Sequence, residues 1–417
     1  MHITLTAPSE LRLSVSLPSS KSISNRAQLI AALCGSGAEK RLANLSDCDD
    51  TRVMQLALKD MAPIIDIGAA GTAMRFLSAF LAVTEGAHTI TGTERMRHRP
   101  IGILVEALRS LGASVKYAGE EGFPPLHIEG RRLRGGRVEM AGNVSSQYVS
   151  ALLMVGPTME EGLTLALQGE VVSRPYIEMT LALMRTFGAE VAWTDERTIR
   201  VAAGGYRPTD FRVESDWSAA SYWYEMAALT DNTRTEIRLP GLFRESLQGD
   251  SAVREMFRHL GVETEFGDED GTETVRLTKN GQRAARIELN FTHQPDLAQT
   301  LVVSCALAGI PFRFTGLQSL KIKETDRMAA LQTEMRKLGY VVGEQDDSVL
   351  FWNGERCTPQ EIPAIDTYED HRMAMAFAPA ALVFGPLRIN NPEVVSKSYP
   401  QYWSHLKAAG FDVCSTQ

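Results

Sequence analysis

Five segments of the sequence place polar and cationic side chains directly before an apolar run. They are PSSKSISNRAQLIAAL (18–33), GAAGTAMRFLSAFLA (68–82), GNVSSQYVSALLM (142–154), KETDRMAALQTEM (323–335) and YEDHRMAMAFAPAALVFG (368–385). Each pattern predicts the start of a helix, where unpaired N–H groups and the positive end of the dipole favour anions and repel cations. Lysine and arginine at such positions therefore indicate a bound anion, since arginine grips phosphate or carboxylate with two parallel hydrogen bonds.

A purely structural interpretation exists for several of these segments. Ser145 is of the residue type that caps helices, as is Ser146. Lys323 and Arg327 are four residues apart with Glu324 between them, a spacing that also suits an ion-pair ladder on a helix surface. One such segment alone would favour plain capping or surface pairing, so the functional interpretation depends on the five segments together.

The last segment adds a stronger argument. Asp370 is of a capping type, but the helix after it is apolar on all sides and is therefore predicted to be buried. His371 and Arg372 would then lie at the mouth of a core element, where an unpaired charge is costly. Asp296, just ahead of another apolar helix, and Glu324, among cations, are the candidate acid–base groups, although Asp296 could also be a simple helix-start acid. Together these features favour a site for a multiply charged anionic substrate.

The elements that would position these residues recur along the chain. Five amphipathic helices each stop at a glycine and turn into a strand pattern, and the intervals between the glycines are 76, 73, 78 and 71 residues. The glycines are Gly112, Gly188, Gly261, Gly339 and Gly410. A hairpin pattern follows the first four, and a sixth copy at 51–68 lacks its hairpin. The sequence predicts six α/β modules of about 70 residues, dividing into three and three near 212–221.

Composition narrows the class of protein. The chain has 417 residues, a formal charge of −8 and an isoelectric point near 5.6, which argues against nucleic-acid or anionic-membrane partners. The five cysteines are scattered, which favours a reducing compartment with free thiols over a disulfide or zinc framework. No basic segment leads into an apolar stretch at 1–10, and no apolar run reaches the roughly 18 residues of a membrane span. We expect a soluble, cytoplasmic protein.

Six segments, in matching order and spacing between Pro18 and Lys397, resemble signature stretches of the 5-enolpyruvylshikimate-3-phosphate synthase family. They are LPSSKSISNRA, AGTAMR, RHRPIGILVEALRSLGA, SSQYVSALL, KETDRM and DHRMAMAF. The resemblance implies an α/β fold, a two-lobed inside-out α/β barrel built from six βαβαββ-type repeats with three per lobe. It implies that residues 1–18 plus 215–417 form lobe one and residues 19–214 form lobe two, with the active site in the cleft between them.

The resemblance also implies a transferase of the shikimate pathway, which leads to chorismate and the aromatic amino acids. The family transfers the enolpyruvyl group of phosphoenolpyruvate to the 5-hydroxyl of shikimate 3-phosphate by addition and elimination, without metal or organic cofactor, and is the target of glyphosate. Asp296 would be the general base, Glu324 the proton shuttle to the methylene carbon, and Lys21 the group that stabilises the departing phosphate. The only partners implied are the two substrates, and we expect a monomer.

Substrate contacts follow from the same resemblance. Those implied for shikimate 3-phosphate are Lys21, Ser22, Arg26, Ser145, Ser146, Gln147, Ser173, Tyr176, Asp296 and Lys323. Those implied for phosphoenolpyruvate are Lys21, Gly71, Arg99, Gln147, Arg327, Arg372 and Lys397. Three positions depart from the family pattern: Ala69 and Ser319 each stand in place of an asparagine, and Phe76 in place of a proline. Gly71 is the residue type of glyphosate-sensitive members, so sensitivity is a hypothesis.

The sequence also allows two alternative functions. The sister enzyme UDP-N-acetylglucosamine enolpyruvyl transferase shares the fold and the phosphoenolpyruvate chemistry, but it typically carries a reactive cysteine in a mobile loop. The corresponding stretch here, RMRHRPIG (95–102), contains none. A catalytically inactive, phosphometabolite-binding repeat protein is the other alternative, since a fold alone does not assign activity. Lys21, Asp296 and Glu324 favour an enzyme, because a pure binding module has no need for the two carboxylates.

Overall fold

The computed structural model describes residues 1–230 and 234–416, which form two compact units. The discontinuous unit contains Met1–Pro18 and Glu214–Gln417, and the continuous unit contains Ser19–Val213. The chain thus begins in one unit, builds the whole of the other, and then returns. In the described ranges, no helix has both the length and the apolar character needed to cross a membrane.

The continuous unit has two four-stranded sheets and one pair of short strands. The strands of the first sheet are, in spatial order, Ile64–Asp66, Gly86–Thr91, Leu126–Gly130 and Ser114–Tyr117. Those of the second sheet are Val191–Trp193, Thr198–Val201, Leu163–Gln168 and Gly136–Ala141. The short strands Phe211–Arg212 and Leu42–Ala43 form the pair. The α-helices are Lys21–Cys34, Asp49–Asp60, Gly71–Val83, Glu94–Arg97, Gly102–Ser110, Ser146–Val155 and Arg174–Thr186.

In its described residues, the discontinuous unit has three four-stranded sheets. The strands of the first sheet are, in spatial order, Val262–Glu269, Thr272–Lys279, Glu236–Pro240 and Arg12–Ser14. Those of the second sheet are Ile287–Asn290, Phe312–Thr315, Val349–Trp352 and Gly343–Gln345. Those of the third sheet are Ala364–Ile365, Leu387–Asn390, His2–Thr6 and Asp412–Thr416. The α-helices are Trp217–Leu229, Val253–Arg258, Ala298–Leu307, Arg327–Lys337, His371–Phe377, Ala381–Phe384 and Tyr402–Ala408. Helix Ala298–Leu307 is buried along its whole length and forms part of the core.

All five four-stranded sheets share one topology. Each contains one parallel strand pair, which requires a crossover, and two antiparallel pairs. In the sheet of Ile64–Asp66, for example, helix Gly71–Val83 crosses over to the parallel partner Gly86–Thr91, and helix Gly102–Ser110 leads to the antiparallel strands. This confirms the predicted α/β class and its repeated unit.

The glycines predicted at the helix ends lie in the expected conformation. Gly112, Gly188, Gly261, Gly339 and Gly410 all have positive φ, between 80° and 97°, where a side chain would be strained. The module predicted to lack its hairpin does lack one: helix Asp49–Asp60 runs on to Ile64–Asp66, which belongs to the next sheet. Its remaining strand, Leu42–Ala43, pairs in parallel with Phe211–Arg212. The irregular copy therefore uses a strand from the end of the unit.

Candidate active site

Helix starts gather the charged residues of the discontinuous unit. Asp326 caps helix Arg327–Lys337 by accepting from the N–H groups of Met328 and Ala329, both at 3.1 Å. Asp370 caps helix His371–Phe377 by accepting from the N–H of Arg372 at 2.9 Å. A 3₁₀ turn, Pro295–Leu297, carries Asp296 to the start of the buried helix Ala298–Leu307. The cap Asp370 was predicted from the sequence and the cap Asp326 was not, and each directly precedes a helix whose first turn carries a cation.

These helix starts form what we call the Asp296 cluster. Its members are Asp296, Lys323, Glu324, Arg327, Asp370, Arg372 and Lys397. Four cations face three carboxylates among these side chains, so the cluster as named carries a net positive charge. The imidazole of His371 lies beside the cluster, with its Nδ1 3.8 Å from a carboxylate oxygen of Asp370.

Arg327 is the centre of the cluster. Its side chain is only 1% exposed, and its guanidinium donates to Asp296 at 3.1 Å, to Glu324 at 2.9 Å and to Asp370 at 2.6 Å. Burial opposes its charge, but Asp370, Glu324 and Asp296 outweigh burial and raise the pKa of Arg327 above its ordinary value. One buried cation therefore joins the candidate base to the candidate proton shuttle.

Asp296 is shared by three cations. Its carboxylate accepts from Arg327 at 3.1 Å and from Arg372 at 3.0 Å, and the ammonium of Lys323 lies 3.4 Å away. Burial alone would favour the neutral form, but Arg372, Lys323 and Arg327 hold the pKa of Asp296 well below its usual range. The group is thus ionised, as a base must be, but a carboxylate so strongly stabilised is a weak base.

Glu324 lies between two cations, Arg327 and Lys397. It accepts from Arg327 at 2.9 Å and from the ammonium of Lys397 at 2.8 Å. Lys397 comes from the 3₁₀ turn Pro392–Lys397, far along the chain from the KETDR segment. Fold topology therefore unites two segments whose relation the sequence does not show.

Lys21 opens the first helix of the continuous unit. Ser20 caps helix Lys21–Cys34 by accepting from the N–H of Ile23 at 3.4 Å. The ammonium of Lys21 lies 3.3 Å from a carboxylate oxygen of Asp50, which is buried in the first turn of helix Asp49–Asp60. Sequence reasoning missed Asp50, although its place in the acidic stretch SDCDD offered a weak signal.

Arg26 lies one turn deeper in the same helix and is 3% exposed. Its guanidinium donates to the hydroxyls of Thr180 at 2.7 Å and Ser150 at 3.1 Å, and to the carbonyl of Ser22 at 2.9 Å. These partners are neutral, and burial lowers the pKa of Arg26 to about 10. The guanidinium carbon also lies 5.3 Å from the centre of the Phe76 ring, so the residue that replaces the family proline packs against a predicted substrate contact.

Gly71 lies at the centre of a third group. The guanidinium of Arg75 donates to its carbonyl at 2.9 Å. A Cβ added at Gly71 would lie 2.5 Å from Nη1 of Arg99 and 2.9 Å from Nη1 of Arg75, closer than real Cβ atoms approach. The neighbouring Thr72 hydroxyl accepts from the amide of Gln147 at 3.1 Å. Predicted contacts from three segments therefore meet at this glycine.

The remaining predicted contacts lie at two further helix starts. Ser145 caps helix Ser146–Val155, accepting from the N–H of Gln147 at 3.4 Å. Ser173 precedes helix Arg174–Thr186 in a left-handed conformation with φ 53°, and Tyr176 lies in the first turn of that helix. Both helices supply hydroxyls to Arg26, through Ser150 and Thr180, so these starts are tied to one buried cation.

Two of the departures from the family pattern lie near these groups. Ala69 is exposed, two residues before Gly71. Ser319 lies in the 3₁₀ turn Gln318–Ile322, just ahead of Lys323. In the described ranges, no three His, Cys, Asp or Glu side chains converge in a way that could hold a metal ion.

The sequence is similar to known proteins over nearly its whole length. The family model described as EPSP synthase (3-phosphoshikimate 1-carboxyvinyltransferase) matches residues 5–65 and 62–406. A 3-phosphoshikimate 1-carboxyvinyltransferase of Bacteroides fragilis strain YCH46 is 58% identical over 414 residues, 99% of each chain. One of Aliivibrio fischeri strain ES114 is 38% identical over 436 aligned positions, covering 97% of this chain and 98% of the relative.

Solved structures show the same fold. The EPSP synthase from Acinetobacter baumannii superposes with a TM-score of 0.78 at 21% identity, over 100% of both chains. The enolpyruvyl transferase NikO from Streptomyces tendae superposes with a TM-score of 0.73 at 15% identity, over 100% of this chain and 98% of that one.

Proposed function

This chain belongs to the EPSP synthase family, the 3-phosphoshikimate 1-carboxyvinyltransferases, and from that premise we propose how its side chains divide the reaction. The enzyme transfers the enolpyruvyl group of phosphoenolpyruvate to the 5-hydroxyl of shikimate 3-phosphate and releases phosphate, a step of aromatic amino acid biosynthesis. The relatives carry the shikimate name, which favours this activity over the sugar-nucleotide and inactive-protein alternatives.

The observation that carries the assignment of roles is the sharing of Asp296 by Arg327, Arg372 and Lys323. The same cations are those expected to hold anionic substrate. A substrate carboxylate or phosphate that takes hydrogen bonds from Arg372 and Arg327 competes with Asp296 for them. Loss of those bonds raises the pKa of Asp296, so that binding of the substrate itself creates a stronger base. Asp296 then takes the proton of the attacking 5-hydroxyl.

Glu324 is proposed as the group that gives a proton to the methylene carbon in the addition step and removes one in the elimination step. Its contacts with Arg327 at 2.9 Å and Lys397 at 2.8 Å place it under the same competition. An anion that draws Lys397 and Arg327 away frees this carboxylate to take up the proton that it must donate. One binding event thus prepares both the base and the acid.

Arg327 and Arg372 serve as the clamp for phosphoenolpyruvate in this proposal. Arg327 has almost no exposed surface, and its Nε and Nη2 both donate to Asp370. Its bonds from Nη1 to Asp296 and from Nη2 to Glu324 are the ones that a substrate carboxylate would replace. Arg372 is more accessible, since its side chain is 10% exposed. Preorganised cations of this kind stabilise the charge that develops on the transferred group.

The continuous unit is proposed to supply the remaining contacts. Lys21 would stabilise the departing phosphate, and its present partner Asp50 holds the ammonium in place at 3.3 Å until an anion arrives. Gly71, Arg99 and Gln147 are proposed for phosphoenolpyruvate, with Gly71 leaving the room that the Arg99 guanidinium needs. Ser22, Arg26, Ser145, Ser146, Ser173 and Tyr176 are proposed for shikimate 3-phosphate.

The decisive experiment measures phosphate release by the purified protein from phosphoenolpyruvate, with shikimate 3-phosphate or UDP-N-acetylglucosamine as the acceptor. Release only with shikimate 3-phosphate supports the proposed acceptor. Release only with the sugar nucleotide, or with neither compound, contradicts it. Sedimentation of the same sample tests the further proposal that the enzyme is a monomer, and fractionation of source cells tests a cytoplasmic location.

A further inference from the structure

A second group of cations lies in the discontinuous unit, on residues that no step of the reaction uses. A cavity of about 330 Å³ is lined by Arg244, Arg254, Arg258, Thr264 and Phe266, together with Val262 and two glutamates. This volume is within the range of small-molecule sites. We call it the arginine cavity.

Three separate elements build the cavity. Arg254 and Arg258 are four residues apart on helix Val253–Arg258, so they project from one face. Arg244 follows strand Glu236–Pro240, and Phe266 belongs to the neighbouring strand of the sheet, Val262–Glu269. The three arginines therefore converge through the fold and not through proximity in the sequence alone.

Two of these cations contact the same aromatic ring. The guanidinium carbon of Arg244 lies 4.6 Å from the centre of the Phe266 ring, and that of Arg254 lies 5.6 Å from it. The ring attracts each cation, but like charges held near one another repel. The Phe266 ring in turn packs against Trp217, with 6.3 Å between ring centres, which fixes its position. An anion placed between the guanidinium groups would relieve the repulsion.

Carboxylates of the described residues do not provide that anion. Within residues 1–230 and 234–416, no carboxylate oxygen lies within 4.0 Å of a side-chain nitrogen of Arg244, Arg254 or Arg258. The nearby Glu273 accepts instead from the backbone N–H of Arg244 at 2.7 Å, and Glu263 on the cavity wall accepts from the amide of Asn280.

Other arginines of the same sheet are paired. Arg238 lies 2.8 Å from a carboxylate oxygen of Glu236, and Arg276 donates to Glu265 on the adjacent strand. The lack of such pairs at the cavity is therefore a property of the cavity and not of arginines on this sheet.

We propose that the arginine cavity binds a small phosphorylated metabolite, at a site separate from the Asp296 cluster. Three guanidinium groups offer paired N–H donors that match the several oxygens of a phosphate, and the hydroxyl of Thr264 lies on the same wall. Phe266 offers an apolar surface for the rest of the ligand.

Calorimetric titration with pyrophosphate at constant ionic strength tests the proposal. The wild type is compared with the double variant Arg254→Gln/Arg258→Gln, and uptake at the active site is common to both proteins, so the difference isolates the cavity. We expect the double variant to lose one binding site, or to bind there about ten-fold more weakly or worse. Superimposable isotherms would overturn the proposal.

Matched proteins sharpen this test. Arg276→Gln removes an arginine of the same sheet outside the cavity and is expected to bind pyrophosphate as the wild type does. If the double variant is unstable, the single variant Arg258→Gln takes its place in the titration, because it changes only an exposed side chain. Turnover of the double variant in phosphate-free buffer is expected to equal that of the wild type, and a loss of turnover would contradict a separate site.

A titration with malonate distinguishes phosphate from carboxylate ligands. The phosphate assignment predicts that malonate binds the cavity more weakly than pyrophosphate does. Tighter binding of malonate, lost in the double variant, would overturn that assignment.

Discussion

The guanidinium of Arg327 donates from Nε to Oδ2 of Asp370 at 2.6 Å, and both side chains are essentially excluded from solvent. The same carboxylate caps helix His371–Phe377 by accepting from the N–H of Arg372. One carboxylate therefore orients both arginines that are proposed to hold phosphoenolpyruvate. Asp370 is best described as a positioning residue, since its work is done through its neighbours.

Replacing Asp370 should separate its two tasks. Asp370→Asn keeps a good helix cap but removes the charge of the most deeply buried of the three carboxylates that Arg327 contacts, and we expect it to lower the free energy of unfolding by about 3 kcal/mol. Asp370→Ala should lower it by about 1 kcal/mol further, because the cap is also lost. Urea denaturation measures both values. Equal stability of Asp370→Asn and wild type would show that the ion pair contributes nothing net.

Asp296→Asn should abolish catalysis without abolishing binding. Loss of a general base typically slows the reaction by about 10² to 10⁴-fold, and the amide still accepts hydrogen bonds from the surrounding cations. Phosphate release measures the rate, and calorimetry measures the affinity for shikimate 3-phosphate. Asp326→Asn is the matched control, because asparagine caps a helix as well as aspartate does. Near-normal turnover of Asp296→Asn would exclude the proposed base.

Gly71→Ala should weaken the binding of phosphoenolpyruvate. Its Cβ would lie 2.5 Å from Nη1 of Arg99, so that guanidinium must move away. We expect KM for phosphoenolpyruvate to rise with a smaller change in kcat, and any inhibition by glyphosate to weaken in parallel. Gly102→Ala is the control, since its Cβ would meet nothing closer than 3.5 Å. An unchanged KM would show that Arg99 does not serve this substrate.

Glu225 should make stability depend on pH. Its carboxyl is fully buried on helix Trp217–Leu229, and burial raises its pKa well above the ordinary value, which Ser304 only partly offsets. A carboxyl with a raised pKa in the folded state stabilises the protein fully below about pH 4.3, its unfolded pKa, and loses this contribution as the pH rises from there through the folded pKa.

The corresponding variant is Glu225→Gln. Relative to the wild type, its free energy of unfolding should increase with pH by about 1.4 kcal/mol per unit within that window. Urea denaturation at several pH values measures the difference, with the exposed Glu361→Gln as a control. A difference that stays constant with pH would contradict the prediction.

Local features of the fold could be predicted because local physics determines them. The helix starts follow from capping residues before apolar runs, and glycines such as Gly112 mark helix ends because they adopt positive φ. The missing hairpin after 51–68 was visible as a missing pattern. The family resemblance assigned Asp296 and Glu324, and the structure shows the cations that surround them.

Pairings between distant segments could not be predicted from one sequence. Asp50 lies 29 residues from Lys21, and Asp370 lies 43 residues from Arg327, with no pattern that joins either pair. Asp250 gave no signal at all, yet burial first and the nearby charge of Asp296 second raise its pKa to about 6. Such partners are set by the packing of repeats, which sequence periodicity does not specify.

The last sheet of the discontinuous unit has consequences for biosynthesis. Its strand His2–Thr6 lies between Leu387–Asn390 and Asp412–Thr416 and pairs with both. A ribosome therefore makes this strand long before its two neighbours, so the sheet cannot close until the chain has been translated past Asp412–Thr416. The continuous unit, Ser19–Val213, has all its own strands long before then and can fold early. Until then, the apolar side chains of Ile3 and Leu5 lie on a strand that lacks both of its partners and need protection from aggregation.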